Sequence, residues 1–131
     1  MSHVTGFGGV FFKSKNPEAI RDWYVEHLGL PKSPDGFVVF RWREGGDGEE
    51  PGSMASTVWS PFPADTTYFE PSPAPFMINF RVRDLDAALA DLRAKGVWVD
   101  ERIEDSELGR FGWILDPDGN RIELWQPPEG Y

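Results

Sequence analysis

The feature that most constrains the fold of this chain is an internal repeat. Residues 12–20 can be aligned with residues 80–88, and in each segment a short apolar strand runs into an Asx residue that is followed by a helical pattern. Asn16 and Asp84 stand at the Asx position, where a side-chain oxygen can accept from free N–H groups of the first helical turn. The repeat therefore predicts two related units, each with a strand followed by a helix.

The two predicted helices have nearly equal length. The first is expected from about Pro17 to His27 and the second from about Leu85 to Lys95. A glycine follows each helix and suits the left-handed conformation that ends many helices. The faces expected to point inward carry Ile20, Trp23, Tyr24 and Leu28 in the first helix, and Leu85, Ala88, Leu89 and Leu92 in the second.

Strand-like runs follow each helix. In the first half they cover residues 36–43 and 55–60, and in the second half 97–102, 110–115 and 120–126. The turn at 116–120, Asp-Pro-Asp-Gly-Asn, joins the last two. The first half has instead a glycine-rich acidic stretch at 44–52, which predicts a mobile surface loop.

The halves are separated by a stretch rich in proline. Prolines stand at positions 61, 63, 71, 73 and 75, a pattern typical of an extended, stiff linker. We expect one domain over residues 4–128, with a first module at about 4–62, a linker at about 61–75 and a second module at about 75–128.

Composition excludes several classes of function. A formal net charge of −9 argues against a nucleic-acid partner, which would need clustered Lys and Arg. No apolar run approaches the roughly 18–20 residues of a membrane span. The chain has no cysteine, hence no disulfide framework and no thiolate site, and its first residues do not read as a signal peptide. A cytoplasmic protein is expected.

Two segments resemble a known family. Residues 9–12 with 23–30 are similar to the opening of glyoxalase / bleomycin-resistance / extradiol-dioxygenase proteins, the vicinal oxygen chelate superfamily, and residues 116–125 are similar to its closing hairpin. The resemblance implies an α+β fold in which two βαβββ modules form an incomplete eight-stranded barrel. It also implies a homodimer, and leaves open whether modules are exchanged between protomers.

The resemblance further implies four positions for a divalent metal, one on the first and one on the last strand of each module. In this chain they are Gly9, Thr57, Met77 and Glu123. Only Glu123 offers the oxygen ligand expected there, because glycine has no side chain, thioether is soft and a hydroxyl is weak. A catalytic metal generally needs about three protein ligands. We therefore expect no metal and no other cofactor.

Strand alternation predicts which side chains face the interior, since residues two apart share a face. Glu123 is the candidate catalytic residue, because a carboxylate among apolar neighbours can acquire a raised pKa and transfer protons. The candidate ligand-binding residues are Phe11, Thr57, Trp59, Met77, Asn79, Arg81, Arg121 and Trp125. Such a wall would be mostly apolar with a few polar anchors, as ligand sites usually are.

Structural roles for the same residues remain open. Glu123 could form a buried ion pair with Arg81 or Arg121, Asn79 could satisfy a backbone group, and the tryptophans could belong to the core or to a dimer interface. Three functions follow: a protein that binds or sequesters a small cationic or aromatic ligand, a glyoxalase-like enzyme with Glu123 as base or an atypical metal site, and a structural dimer whose cavity is filled. The first is favoured by the missing metal ligands.

Overall fold

A computed structural model describes residues 3–44 and 53–131. The loop expected at 44–52 therefore lies almost entirely outside the described residues. The described chain folds into seven strands and two helices: β1 (Val4–Ser14), α1 (Pro17–Leu28), β2 (Val38–Glu44), β3 (Ser53–Pro63), β4 (Phe76–Val82), α2 (Leu85–Ala94), β5 (Glu104–Ser106), β6 (Gly109–Leu115) and β7 (Arg121–Gln126).

The seven strands form one curved, open sheet in the order β2-β3-β1-β4-β7-β6-β5. β1 and β4 pair antiparallel at its centre. On each side of this pair the same arrangement recurs: β1 lies parallel to β3 and β4 lies parallel to β7, with β2 and β6 antiparallel beyond them. A parallel pair needs a crossover, and α1 and α2 supply it. The predicted α+β class built from two related modules is confirmed.

The helix termini form as their residues predict. Asn16 Oδ1 accepts from the Ala19 N–H at 3.1 Å, and Asp84 Oδ1 accepts from the Ala87 N–H at 3.0 Å. Gly29 adopts φ 70°, and its N–H donates to the carbonyl of Val25. Both helices end within one residue of the predicted positions.

The two helices pack differently. In α2, Leu85, Ala88 and Leu89 are buried as expected. In α1 no side chain is buried, and the predicted inward face is wrong for Trp23 and Leu28, which are 49% and 62% exposed. Apolar residues cover more of the circumference of α1 than the sheet can cover, so part of the stripe stays in solvent.

Residues 97–102 do not form the strand that was predicted. They contribute only the isolated bridge between Val99 and Ile114, supported by the hydrogen bonds Asp100 N–H to Trp113 O and Leu115 N–H to Trp98 O. The edge strand of this half is the short β5 instead. The second half thus keeps four strands, β4 to β7. The described part of the first half has three, β1 to β3, and for this reason the sheet has seven strands rather than eight within the described ranges.

The connection between the modules is folded rather than extended. Turns are closed by the hydrogen bonds Thr66 N–H to Pro63 O, Glu70 N–H to Thr67 O and Ser72 N–H to Phe69 O. Phe69 is fully buried, together with Met77 and Trp113. The predicted extended linker is wrong, because the aromatic residues between the prolines pack onto the domain and fold the segment. In the described part of the chain no helix is long and apolar enough to cross a membrane.

Candidate functional site

A cavity of about 540 Å³ lies on the face of the sheet opposite the helices. Its walls are mainly aromatic and aliphatic, since α1 and α2 take the other face and leave this one unpacked. Its rim is polar and includes Lys32, Asp35 and Arg41. The apolar wall residues are Phe11, Phe37, Val39, Val58, Phe62, Tyr68, Leu108, Phe111, Trp125 and Tyr131.

Glu123 lies at the floor of this cavity and is only 1% exposed. Its carboxylate accepts three hydrogen bonds, each from a neutral donor. Tyr68 Oη donates to Oε2 at 2.5 Å, Trp113 Nε1 donates to Oε2 at 2.9 Å, and Asn79 Nδ2 donates to Oε1 at 2.7 Å. The charge is therefore solvated by fixed dipoles rather than by water.

Burial dominates the protonation equilibrium of this carboxyl. Removal from water raises the pKa of Glu123, because the charged form is the one that loses hydration, while the bonds from Tyr68, Asn79 and Trp113 and the charge of Arg121 act in the opposite direction. Burial also raises the pKa of Tyr68, with further increases from the adjacent Glu123 carboxylate. Two titratable groups joined by a hydrogen bond thus meet at the cavity floor.

Tyr68 is the functional candidate that the sequence did not reveal. It lies in the connection between the modules, and its ring is held between Phe62, at a centroid distance of 5.5 Å, and Trp113, whose ring is perpendicular at 6.1 Å. The adjacent aromatic pair at 68 and 69 inside a proline-rich stretch was the available signal. An aromatic pair there indicates a segment that packs on the domain rather than a free linker.

Four of the predicted site residues come together in the cavity wall: Phe11, Asn79, Glu123 and Trp125. Asn79 does more than satisfy a backbone group. Its Nδ2 holds Glu123, while its buried Oδ1 has no hydrogen-bond partner among the described residues. That oxygen lies against Gly8, where an added Cβ would approach it to 1.9 Å.

The predicted inward orientation of Thr57 and Trp59 is wrong. Val58 and Ser60, the alternate residues of β3, line the cavity. Thr57 Oγ1 instead donates to Phe7 O, and Trp59 packs beneath α1 with its ring 4.7 Å from that of Tyr24. Apolar residues stand at both odd and even positions of this strand, so alternation alone does not predict which face of β3 lines the cavity. An error of one residue in the assignment moves every side chain to the opposite face of the sheet.

The strand register also changes which residue of the first half corresponds to Glu123. Glu123 pairs with Asn79 across β4 and β7, and Ser60 pairs with Phe11 across β1 and β3. Phe11 on β1 and Asn79 on β4 occupy equivalent positions in the two modules. In the central antiparallel pair Phe11 is opposite Met77, and Asn79 is opposite Gly9. Ser60, three residues beyond Thr57, is therefore the counterpart of Glu123.

The remaining predicted residues lie outside the lining that the described residues form. Met77 is fully buried in the core with Phe69. Arg81 is paired with Glu44 at 2.8 Å and donates to the carbonyls of Ser56 and Tyr131.

Arg121 is also outside the cavity lining. It contacts Asp100 at 3.3 Å, donates to Glu70 O and lies 4.9 Å from the centre of the Trp113 ring. Across residues 3–44 and 53–131, neither Arg81 nor Arg121 forms an ion pair with Glu123, so that alternative is wrong.

The residues at the family's metal positions do not fit a divalent ion. An added Cβ at Gly9 would lie 2.3 Å from the Val58 carbonyl, and Thr57 Oγ1 is already engaged with Trp42 and Phe7. Both Glu123 oxygens face N–H or O–H donors, which repel a cation. No group of three His, Cys, Asp or Glu that could hold a metal occurs in the described ranges.

Comparisons with known proteins agree with this architecture. The model of the Glyoxalase/Bleomycin resistance protein/Dioxygenase superfamily matches residues 6–124. Among solved structures, methylmalonyl-CoA epimerase from Mycobacterium tuberculosis is 24% identical with a TM-score of 0.61, over 98% of this chain and 91% of that one. A variant of Streptomyces coelicolor methylmalonyl-CoA epimerase is 18% identical with a TM-score of 0.66, over 97% of both chains.

Another solved structure shares the fold too. NAD-dependent benzaldehyde dehydrogenase from Legionella pneumophila is 17% identical with a TM-score of 0.59, over 92% of this chain and 98% of that one. The curated protein sequences include no significant match. At such identities the structural likenesses establish a shared fold and not a shared reaction.

Proposed function

The chain belongs to the Glyoxalase/Bleomycin resistance protein/Dioxygenase superfamily, and we propose that it binds a small, largely apolar or aromatic molecule in the cavity over Glu123 without a metal. The observation that carries the proposal is the cavity itself. It encloses about 540 Å³, its walls are mostly apolar, and one buried, hydrogen-bonded carboxylate lies at its floor. Of the residues that the sequence predicted to bind a ligand, we propose three as its contacts: Phe11, Asn79 and Trp125.

The size of the cavity favours a ligand over a purely structural role. Small-molecule sites commonly enclose about 300–1,000 Å³, and a protein without a ligand was expected to fill this space with its own side chains. Phe111 and Trp125 instead stack on each other with an interplanar angle of 4° and a centroid distance of 6.0 Å. Such a flat, rigid pair suits an aromatic or planar guest.

The test is a comparison of two tryptophan variants. An uncharged aromatic probe, 2-methoxynaphthalene, is titrated into the wild-type protein and into Trp125→Leu and Trp59→Leu, with calorimetry as the readout. Trp125 lines the cavity while Trp59 packs under α1. We expect Trp125→Leu to weaken binding about tenfold or more and Trp59→Leu to leave it within about twofold. Equal effects, or no binding to the wild type, would refute the proposal.

One observation favours an enzyme as the second candidate. Glu123 and Tyr68 share a short hydrogen bond at the cavity floor, and burial raises the pKa of both groups. A carboxyl whose pKa is raised by burial is a stronger base when ionised, so it can take a proton from a bound molecule and return it. The enzyme predicts turnover that Glu123→Gln abolishes while ligand affinity persists; the binding protein predicts affinity with no turnover in either form.

A homodimer in the cytoplasm completes the proposal. Exposed apolar side chains support the dimer: on β1 Val4 and Phe7 are 46% and 45% exposed, and on β4 Phe76 is 37% exposed. The absence of cysteine fits a reducing compartment, where disulfides are rare. Sedimentation velocity at micromolar concentration tests the assembly, and cell fractionation tests the location.

A further inference from the structure

We propose that the polar contact for the ligand is the phenolic oxygen of Tyr68, backed by Glu123, so that the site selects molecules with an N–H or O–H donor and discriminates against anions. This inference rests on the proposed function, because it names the chemical class of ligand for the same cavity. On this inference the ligand is recognised by Tyr68, in the connection between the modules, and not directly by the carboxylate of Glu123.

Accessibility separates the two residues. Both residues line the cavity, but Glu123 is only 1% exposed, whereas Tyr68 is only partly buried. The ring of Tyr68 packs on Phe62 and Trp113, which holds its oxygen in place. A ligand that fills the cavity therefore meets the phenol before the carboxylate.

The direction of the hydrogen bonds sets what that phenol can offer. Its O–H is committed to Glu123 Oε2, so the oxygen lone pairs remain for a guest. Trp113 Nε1 and Asn79 Nδ2 each donate a hydrogen bond to the same carboxylate. A donor bound to Tyr68 extends the chain of hydrogen bonds, and polarisation toward the charge strengthens each of them.

The electrostatics around the cavity floor also favour a ligand with an N–H or O–H donor over an anion. No described cation pairs with Glu123: Arg121 is turned to Asp100 and Lys13 lies over the Phe69 ring at 5.8 Å. At the rim, Arg41 already donates to Gly130 O. A carboxylate or phosphate placed at the floor would face lone pairs and a buried negative charge, which an interior of low dielectric does not screen.

Three aromatic probes of the same shape test this: 2-naphthol with a donor, 2-methoxynaphthalene without one, and the anion 2-naphthoate. Dissociation constants are measured by calorimetry at pH 7.5 for wild type, Tyr68→Phe and Tyr24→Phe. The Tyr24 ring lies against Trp59 under α1, so its variant loses a hydroxyl outside the cavity.

For the wild type and Tyr24→Phe we expect 2-naphthol to bind about tenfold more tightly than 2-methoxynaphthalene, as one hydrogen bond to a charge-backed acceptor allows, with 2-naphthoate the weakest. In Tyr68→Phe the two neutral probes should bind within about twofold of each other. A naphthol preference that survives Tyr68→Phe, equal binding of all three probes, or strongest binding of 2-naphthoate would overturn the inference while leaving a ligand-binding cavity. Failure of every probe to bind the wild type would overturn both.

Discussion

Replacing Tyr68 by phenylalanine removes one oxygen atom from the polar cluster at the cavity floor. The ring contacts with Phe62 and Trp113 are kept, so the change isolates the hydrogen bond to Glu123 Oε2. A hydrogen bond to a charged group contributes about 1.5–3 kcal/mol to stability. Since Tyr68 is only partly buried, we expect the lower end, a loss of about 1.5 kcal/mol in the free energy of unfolding.

Urea denaturation followed by tryptophan fluorescence measures this loss, and the thermal midpoint gives a second estimate. Unfolding entropies of about 2.1 cal/mol/K per residue correspond, for a chain of 131 residues, to a fall in Tm of about 5 °C. The measurement is made at a pH above the raised pKa of Glu123, where the carboxylate is ionised.

A double-mutant cycle decides whether the loss comes from the proposed contact. In a Glu123→Gln background the same Tyr68→Phe change removes a bond between neutral groups, which contributes about 0.5–1 kcal/mol. The coupling energy between the two positions should therefore be about 0.5–1 kcal/mol. As the matched control, Tyr24→Phe should change stability by less than about 0.5 kcal/mol. Equal losses from Tyr68→Phe in both backgrounds would show that the carboxylate is not the partner and would refute the reasoning.

Three further outcomes follow from the same geometry. Burial raises the pKa of Glu123 in the folded state, so its contribution to stability is present below the ordinary value of 4.5 and is lost as pH rises through the raised value. Glu123→Gln should therefore gain stability relative to wild type as pH increases from about 4.5. A difference in urea midpoints that stays constant with pH would contradict this. Gly8→Ala should destabilise by about 1–3 kcal/mol, because the new Cβ would lie 1.9 Å from Asn79 Oδ1, and an unchanged thermal midpoint would show that the amide moves freely. Asn16→Ala should cost about 1 kcal/mol through loss of the cap on α1, measured by thermal denaturation, and should leave the affinity for 2-methoxynaphthalene unchanged.

Local chemistry was sufficient for much of the fold. The N-caps at Asn16 and Asp84, the stop at Gly29 and the turn at 116–120 each depend on residues within a few positions of one another, and they appear where the sequence predicts them. The repeat then implied that both halves share one arrangement, which the two parallel pairs, β1 with β3 and β4 with β7, confirm.

The sequence by itself determined the two-module α+β fold, because capping and turn chemistry can be read from neighbours along the chain. Glu123 was singled out through the family resemblance, as the only one of the four implied metal positions with an oxygen ligand of the expected kind. Tertiary structure decided the rest of the cavity. Which face of β3 points inward depends on register against β1, and the contact of Tyr68 with Glu123 spans 55 positions. Strand pairing and the packing of the connection onto the sheet both depend on partners that are distant in sequence. A shift of one residue in strand register would exchange the side chains that face the cavity for those that face a helix.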